Sequence, residues 1–188
     1  TYIVVSIGTK IFLLLDKSHG VISASGDDHA TETFKKFRDG LAAIDKVPAA
    51  DLRREAAAIV GDRVYATSLD GRLYALALDD GKLLWSYDTG EEVKSSPLVA
   101  GGRVYFGDEM GRLHAVDAAT GEKAWIFEAE GPISSSPTAA GGCILAGAYD
   151  NRLYCVDPQS GKPLWQLETE GYVNATASIW RGRAVISG

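Results

Sequence analysis

One tripled segment constrains what this chain can fold into. Residues 75–85 read ALALDDGKLLW, residues 115–125 read AVDAATGEKAW, and residues 155–165 read CVDPQSGKPLW. Trp85, Trp125 and Trp165 recur every forty residues, each four residues after Gly81, Gly121 or Gly161. Arg72, Arg112 and Arg152 recur in the same phase, each followed by a leucine. Three copies, 61–100, 101–140 and 141–180, align without insertions, and another starts at 181. A fixed period of this length marks a repeat array. Each unit is too small to bury its own faces, so neighbours must stack.

Each copy reads as four short strands. VYAT (64–67) runs into a turn at Asp70-Gly71, and LYAL (73–76) into Asp79-Asp80-Gly81. LLWSY (83–87) precedes an acidic loop, and SSPLV (95–99) follows it. Strands and turns at this spacing predict propeller blades, each a small twisted sheet. The small residues of Ser95-Ser96-Pro97 and Ser135-Ser136-Pro137 suit an innermost strand. There the edge facing the channel tolerates a residue without an N–H donor. The third copy departs from this with Ala175-Thr176-Ala177. The expected fold is mainly β, with three four-stranded antiparallel blades and part of a fourth over 56–188.

Residues 1–55 form a separate N-terminal segment. YIVVSI (2–7), KIFLLL (10–15) and VISAS (21–25) read as strands and could belong to a diverged partial blade. Phe34, Phe37, Leu41 and Ile44 line one face of a helical period, with Asp27 or Asp28 as cap and Pro48 as stop. Residues 51–58 fit either a short helix or, in repeat register, a strand.

Charge narrows the function classes. Of the 188 residues, those from 61 onward carry eleven basic and seventeen acidic side chains, the whole net charge of −6. With no basic stripe, nucleic-acid binding is not expected. No apolar run approaches the ~20 residues of a membrane-spanning helix. Cys143 and Cys155 have no metal spacing and read as two small buried thiols; a disulfide would need them to meet across a hairpin. His19 and His114 are isolated, and Asp27-Asp28-His29 with Glu32 reads as a capped helix start rather than a metal site. His114 shares a column with Tyr74 and Tyr154 and reads as a strand side chain. No nucleophile–His–acid set and no phosphate-binding glycine loop occur.

Up-and-down connectivity puts alternate turns of every blade on one face of the disc. That face would collect Asp70, Asp88, Glu91, Glu92, Asp108, Glu109, Glu128, Glu130, Asp150, Glu168 and Glu170. Arg72, Arg112 and Arg152 begin strands at the same rim. Two readings follow: a solvated acidic surface with arginine partners, or a docking face that steers basic partners. The candidate docking residues are Glu91, Glu92, Asp108, Glu109 and Glu130 with the three arginines.

Residues 115–125 match Ala-x-Asp-x-x-Thr-Gly-x-x-x-Trp in full, and this resembles the tryptophan-docking motif of pyrroloquinoline-quinone-like (PQQ-like) repeats. The other copies match in part: Ala77 and Asp80 replace Asp and Thr in the first, and Cys155 and Ser160 replace Ala and Thr in the third. The resemblance implies that Trp85, Trp125 and Trp165 pack against the following blade, with Ala75 and Ala115 as small contact partners. That family includes quinoprotein dehydrogenases, outer-membrane assembly scaffolds and sensor propellers fused to bacterial kinases. A docking motif is a stability device and names no reaction. Lys94 and Asn174, near the inner strand, do not make a cofactor site. The expectation is therefore a non-catalytic scaffold or sensor module, a segment of a longer propeller, with protein partners, no cofactor, and self-association through open blade edges. One alternative is a fragment of a PQQ-dependent dehydrogenase, which would need PQQ and calcium. Another is the sensor domain of a bacterial signalling protein. The resemblance leans toward a periplasmic or other extracytoplasmic location.

Overall fold

The computed structural model describes residues 2–7, 11–16, 20–24, 57–181 and 183–186. Strands β1 (Tyr2–Ile7), β2 (Ile11–Asp16) and β3 (Gly20–Ala24) pair in order as one antiparallel sheet. The expected helix over 34–44 and the Asp27–Glu32 cluster lie outside the described residues.

Three four-stranded antiparallel sheets follow. The first is β4 (Ala57–Val60), β5 (Arg63–Ser68), β6 (Arg72–Ala77) and β7 (Leu83–Asp88). The second is β8 (Leu98–Ala100), β9 (Arg103–Gly107), β10 (Arg112–Asp117) and β11 (Lys123–Glu128). The third is β12 (Thr138–Ala140), β13 (Cys143–Ala148), β14 (Arg152–Val156) and β15 (Pro163–Glu168). A two-stranded sheet, β16 (Ser178–Trp180) and β17 (Arg183–Val185), opens the next unit. No helix occurs among the described residues. In each blade sequential strands are neighbours, as expected of up-and-down propeller blades.

Two details differ from the sequence reading. The inner strand starts after the proline, at Leu98 and Thr138, so Ser95-Ser96-Pro97 lies outside the ladder. Buried Ser95 bonds by side chain and carbonyl instead: its Oγ accepts Gly107 N–H at 3.0 Å, and its carbonyl accepts Thr67 O–H at 2.7 Å. The inner strand also belongs to the sheet that follows it, not to the copy that ends with it. Each forty-residue copy therefore straddles two blades and is held by both. Of residues 51–58, only Ala57 and Ala58 are described, and they open strand β4.

The core lies between blades, and strand alternation assigns each side chain to one seam. Tyr65, Leu73, Ala75 and Val93 meet Val104, Phe106 and Val116 of the second blade. Tyr105, Leu113, Ala115, Trp125 and Ile133 meet Ile144, Ala146, Ala148, Tyr154 and Val156 of the third.

Candidate functional site

The motif segment builds the turn between the third and fourth strands of each blade. Gly121 and Gly161 take φ of 77° and 71°, and their N–H groups donate to the carbonyls of Asp117 and Asp157 at 2.9 Å. Asp117 Oδ1 accepts the N–H of Ala119 and of Thr120, both at 2.9 Å; Asp157 does the same for Gln159 and Ser160. The N–H of Thr120, with that of Ala119, holds the Asp117 carboxyl below the usual carboxylate range, and Ser160 does so for Asp157. The strand register then slips by one residue at Ala75/Leu76, Ala115/Val116 and Cys155/Val156. Such a bulge immediately before each tryptophan re-aims its indole.

Trp85 lies over Gly121 of the next blade, and Trp125 over Gly161. A Cβ on either glycine would come within 2.7 Å or 2.6 Å of the indole. Ala75 and Ala115 sit directly across from these tryptophans and are fully buried. Trp125 Nε1 donates to Pro158 O at 3.1 Å, whereas Trp85 Nε1 is buried without a partner among the described residues. A second grip was not read from the sequence. Arg63 Nη1 donates to the carbonyls of Ala118 and Ala119 at 3.0 and 2.9 Å, and Tyr65 O–H to Ala118 O at 2.9 Å. Arg103 and Tyr105 grip Pro158 and Gln159 in the same way. The signal was present as the Arg-Val-Tyr triplet at 63–65 and 103–105.

The third blade breaks this pattern. Cys143 and Leu145 hold the arginine and tyrosine columns, and Cys143 is disulfide-bonded to Cys155. This corrects the expectation of two free thiols. Cys155 pairs across the hairpin with Leu145, and Cys143 is its diagonal neighbour on the same sheet face, with Cα atoms 5.6 Å apart. The bonded pair joins an apolar cluster with Leu145, Leu153, Val173 and Ala177. Trp165, across from Cys155, is 48% exposed.

The loop after an outer strand is bonded to the hairpin turns on either side of it, that of its own blade and that of the next, which brings acidic residues of adjacent blades onto one face. Thr89 N–H donates to Gly71 O, Glu109 N–H to Glu92 O, and Tyr149 N–H to Pro132 O. Four of the five candidate acids are ion-paired, three of them, Glu92, Glu109 and Glu130, on the presented face. Lys94 Nζ is 2.6 Å from Glu109 and 3.6 Å from Glu92, and Arg152 is 2.7 Å from Glu130. Glu109 also accepts the Ser134 hydroxyl at 2.5 Å, so its carboxylate bridges two loops. Arg72 pairs with Asp88 at 2.8 Å. Asn174 shares the loop position of Lys94 and Ser134 and is exposed.

Asp108 is not part of the presented face: it is fully buried. Its Oδ1 accepts Met110 and Arg112 N–H, and its Oδ2 meets Arg112 Nε at 2.6 Å and His114 Nε2 at 2.9 Å. His114 Nδ1 faces the Tyr87 hydroxyl of the first blade at 3.2 Å, and its ring stacks on Phe106 at 5.1 Å. Arg112 also donates to Thr89 O. The missed signal is positional. Tyr74 and Tyr154 have aspartates four residues before them, while His114 has one six residues before it.

Comparison with known proteins agrees with this architecture. The family model described as "Outer membrane protein assembly factor BamB" matches residues 23–187. Among solved structures, BamB from Moraxella catarrhalis superposes with a TM-score of 0.61 at 19% identity, covering 70% of this chain and 42% of that one. Quinohemoprotein alcohol dehydrogenase ADHIIG from Pseudomonas putida HK5 gives a TM-score of 0.56 at 27% identity, over 60% of this chain and 20% of that one. The computationally designed Ika8 protein gives 0.69 at 16% identity, over 96% of this chain and 53% of that one. No curated protein sequence matches significantly. The chain thus spans less than half of the Moraxella BamB. With the family model matching from residue 23 to 187, on blades built from the repeated tryptophan motif, the chain belongs to the PQQ-like repeat β-propeller family of BamB.

Proposed function

We propose that this chain is a protein-interaction module whose working surface is the face carrying the hairpin turns and the loops after the outer strands. The observation that carries the reading is a division of labour. The side chains of Arg63, Tyr65, Arg103, Tyr105 and Trp125 tie blade to blade, while Glu91 and Glu170 on this face have no ion pair among the described residues. Unpaired charge at a rim acts mainly on encounter rate and its salt dependence. The test is cross-linking of the native protein in its own cells, followed by charge reversal. Cross-links should fall on 88–92, 108–110, 128–131 and 168–172. Reversing Glu91, Glu92 and Glu130 to lysine should slow association with the partner so captured. Cross-links confined to other surfaces would sink the reading.

The Cys143–Cys155 bond supports folding in an oxidising, extracytoplasmic compartment. Both cysteines should resist alkylation in freshly isolated protein until a reductant is added. The exposed Trp165 and Leu167, two residues apart on β15, offer a second contact surface, through which isolated copies of this chain would self-associate.

A second reading rests on the 27% identity to the quinohemoprotein alcohol dehydrogenase. It makes this chain part of a PQQ-dependent enzyme with calcium. Stoichiometric quinone uptake on adding PQQ and calcium would favour that reading over the interaction module.

A further inference from the structure

The acidic face carries one feature that charge does not account for. Tyr149, in the turn between β13 and β14, and Tyr172, in the loop after β15, stack with ring centroids 5.1 Å apart and planes 25° from parallel. They are 36% and 58% exposed, and neither hydroxyl has a hydrogen bond among the described residues. A tyrosine that serves packing is normally buried or has its hydroxyl satisfied. Tyr65 and Tyr105 on the seams show that behaviour, each donating to a carbonyl of the next blade. Equivalent positions in the other blades hold Leu69 and Glu109 for the first tyrosine, Glu92 and Pro132 for the second. Nothing in the repeat geometry therefore demands an aromatic pair here. The blade that presents it also carries Glu170, unpaired, two residues before Tyr172. On the neighbouring turn Met110, 62% exposed, adds an apolar stud.

We propose that the Tyr149–Tyr172 stack is the anchor of the partner face and receives an arginine side chain from an extended basic segment of a protein partner. Two aromatic faces with an unpaired carboxylate two residues along the same loop suit a guanidinium, which is planar, permanently charged and able to stack while bonding to an acid. An ammonium is more strongly hydrated and gains less from the rings. Charge complementarity selects the partner's sign, and the rings select arginine over lysine. This rests on the reading of the acidic face as a docking surface, and extends it from charge to side-chain identity.

The probes are two fluorescein-labelled peptides, four Arg-Ser repeats and four Lys-Ser repeats, titrated by anisotropy against the intact chain at low salt. The arginine peptide should bind about threefold more tightly than the lysine peptide. The double variant Tyr149→Ser, Tyr172→Ser should erase that preference, and its unchanged melting temperature would show that the fold survives. The variant Glu91→Gln, Glu92→Gln, Glu170→Gln should weaken both peptides and flatten the salt dependence. Equal affinity for the two peptides, or a preference that survives loss of both tyrosines, would overturn the anchor. If the glutamate variant still weakened binding in that case, the docking face would stand without it. Absence of binding by either peptide at about 1 mM would overturn both.

Discussion

At the residue scale the second blade solves the repeat's polar problem differently from its neighbours. In the first and third blades a tyrosine hydroxyl donates to the turn aspartate: Tyr74 to Asp70 at 2.5 Å, Tyr154 to Asp150 at 2.6 Å. Each tyrosine stands across from an alanine, Ala66 or Ala146. In the second blade the column holds His114, the facing residue is Phe106, and the acid has moved to Asp108. The volume lost from tyrosine to histidine is thus recovered across the strand, and the acid moves with the donor it serves. Burial pushes the Asp108 carboxyl up, but bonds from His114 and Arg112 outweigh it and leave the group below its ordinary range. A depressed folded value means that its stabilisation is full above the unfolded carboxylate pKa and is lost as pH falls through the folded one. Asp108→Ala should cost about 2–4 kcal/mol in urea unfolding near neutral pH, because it strands the buried His114 and leaves the partly exposed Arg112 without its partner. The penalty should shrink on acidification. The combination Phe106→Ala, Asp108→Ser, Met110→Asp and His114→Tyr, which restores the pattern of the flanking blades, should recover most of it. A combined variant no more stable than Asp108→Ala alone would show that the two arrangements are not interchangeable.

At the element scale the motif turn accounts for its own spacing. The aspartate braces two N–H groups and the glycine supplies left-handed backbone where the preceding blade's indole leaves no room for a Cβ. The first blade lacks the aspartate, with Ala77 in its place, and Asp80 instead accepts Lys82 N–H. Asp117 and Asp157 are held below the usual range by turn N–H groups, so acidification should loosen those turns as pH falls through the depressed values. Amide exchange should quicken at Thr120 and Ser160 under acid, after correction for intrinsic rates, with no matching change at Asp80. The same geometry separates two glycines. Gly161→Ala should cost about 3 kcal/mol, through strain and collision with Trp125. Gly141→Ala, also at positive φ but facing open space, should cost about 1 kcal/mol. Equal shifts in melting temperature would mean that the indole does not pack on Gly161 in solution. The motif, its turn and the strand count were legible in the sequence, because each repeats with side chains of fixed chemistry. The framing of the blades was not. A forty-residue period is unchanged by where counting starts, and only hydrogen bonding decides that Leu98–Ala100 joins the following sheet. The disulfide was hidden for a related reason: twelve residues of separation says nothing until the hairpin register puts both sulfurs on one face. Asp108 was misplaced on the surface because topology assigns turns to a face of the disc, not side chains to its outside.

At the scale of the whole molecule, stability is a property of seams, since each blade buries its faces only against its neighbours. The first two seams combine three devices: an indole over glycine, an Arg–Tyr grip on a turn, and an apolar interlock. The third blade has the same indole and strands but presents Cys143 and Leu145 where the grip would be, and its Trp165 remains half exposed. Identical residues in one chain therefore have different energetic roles, set by what lies beyond them. Trp125→Ser should cost about 3–5 kcal/mol, since it empties a buried site and leaves the Pro158 carbonyl short of a donor. Trp165→Ser in the same chain should change unfolding by less than about 1 kcal/mol. It should instead act on association. Trp165 is exposed beside exposed Leu167 on the same strand, so this chain should sediment with rising average mass as concentration increases, and Trp165→Ser should suppress the rise. Trp125→Ser should leave the association of the folded fraction unchanged. If both substitutions destabilised the chain equally, Trp165 would already be docked within it, and the third blade would have a neighbour like those of the first two.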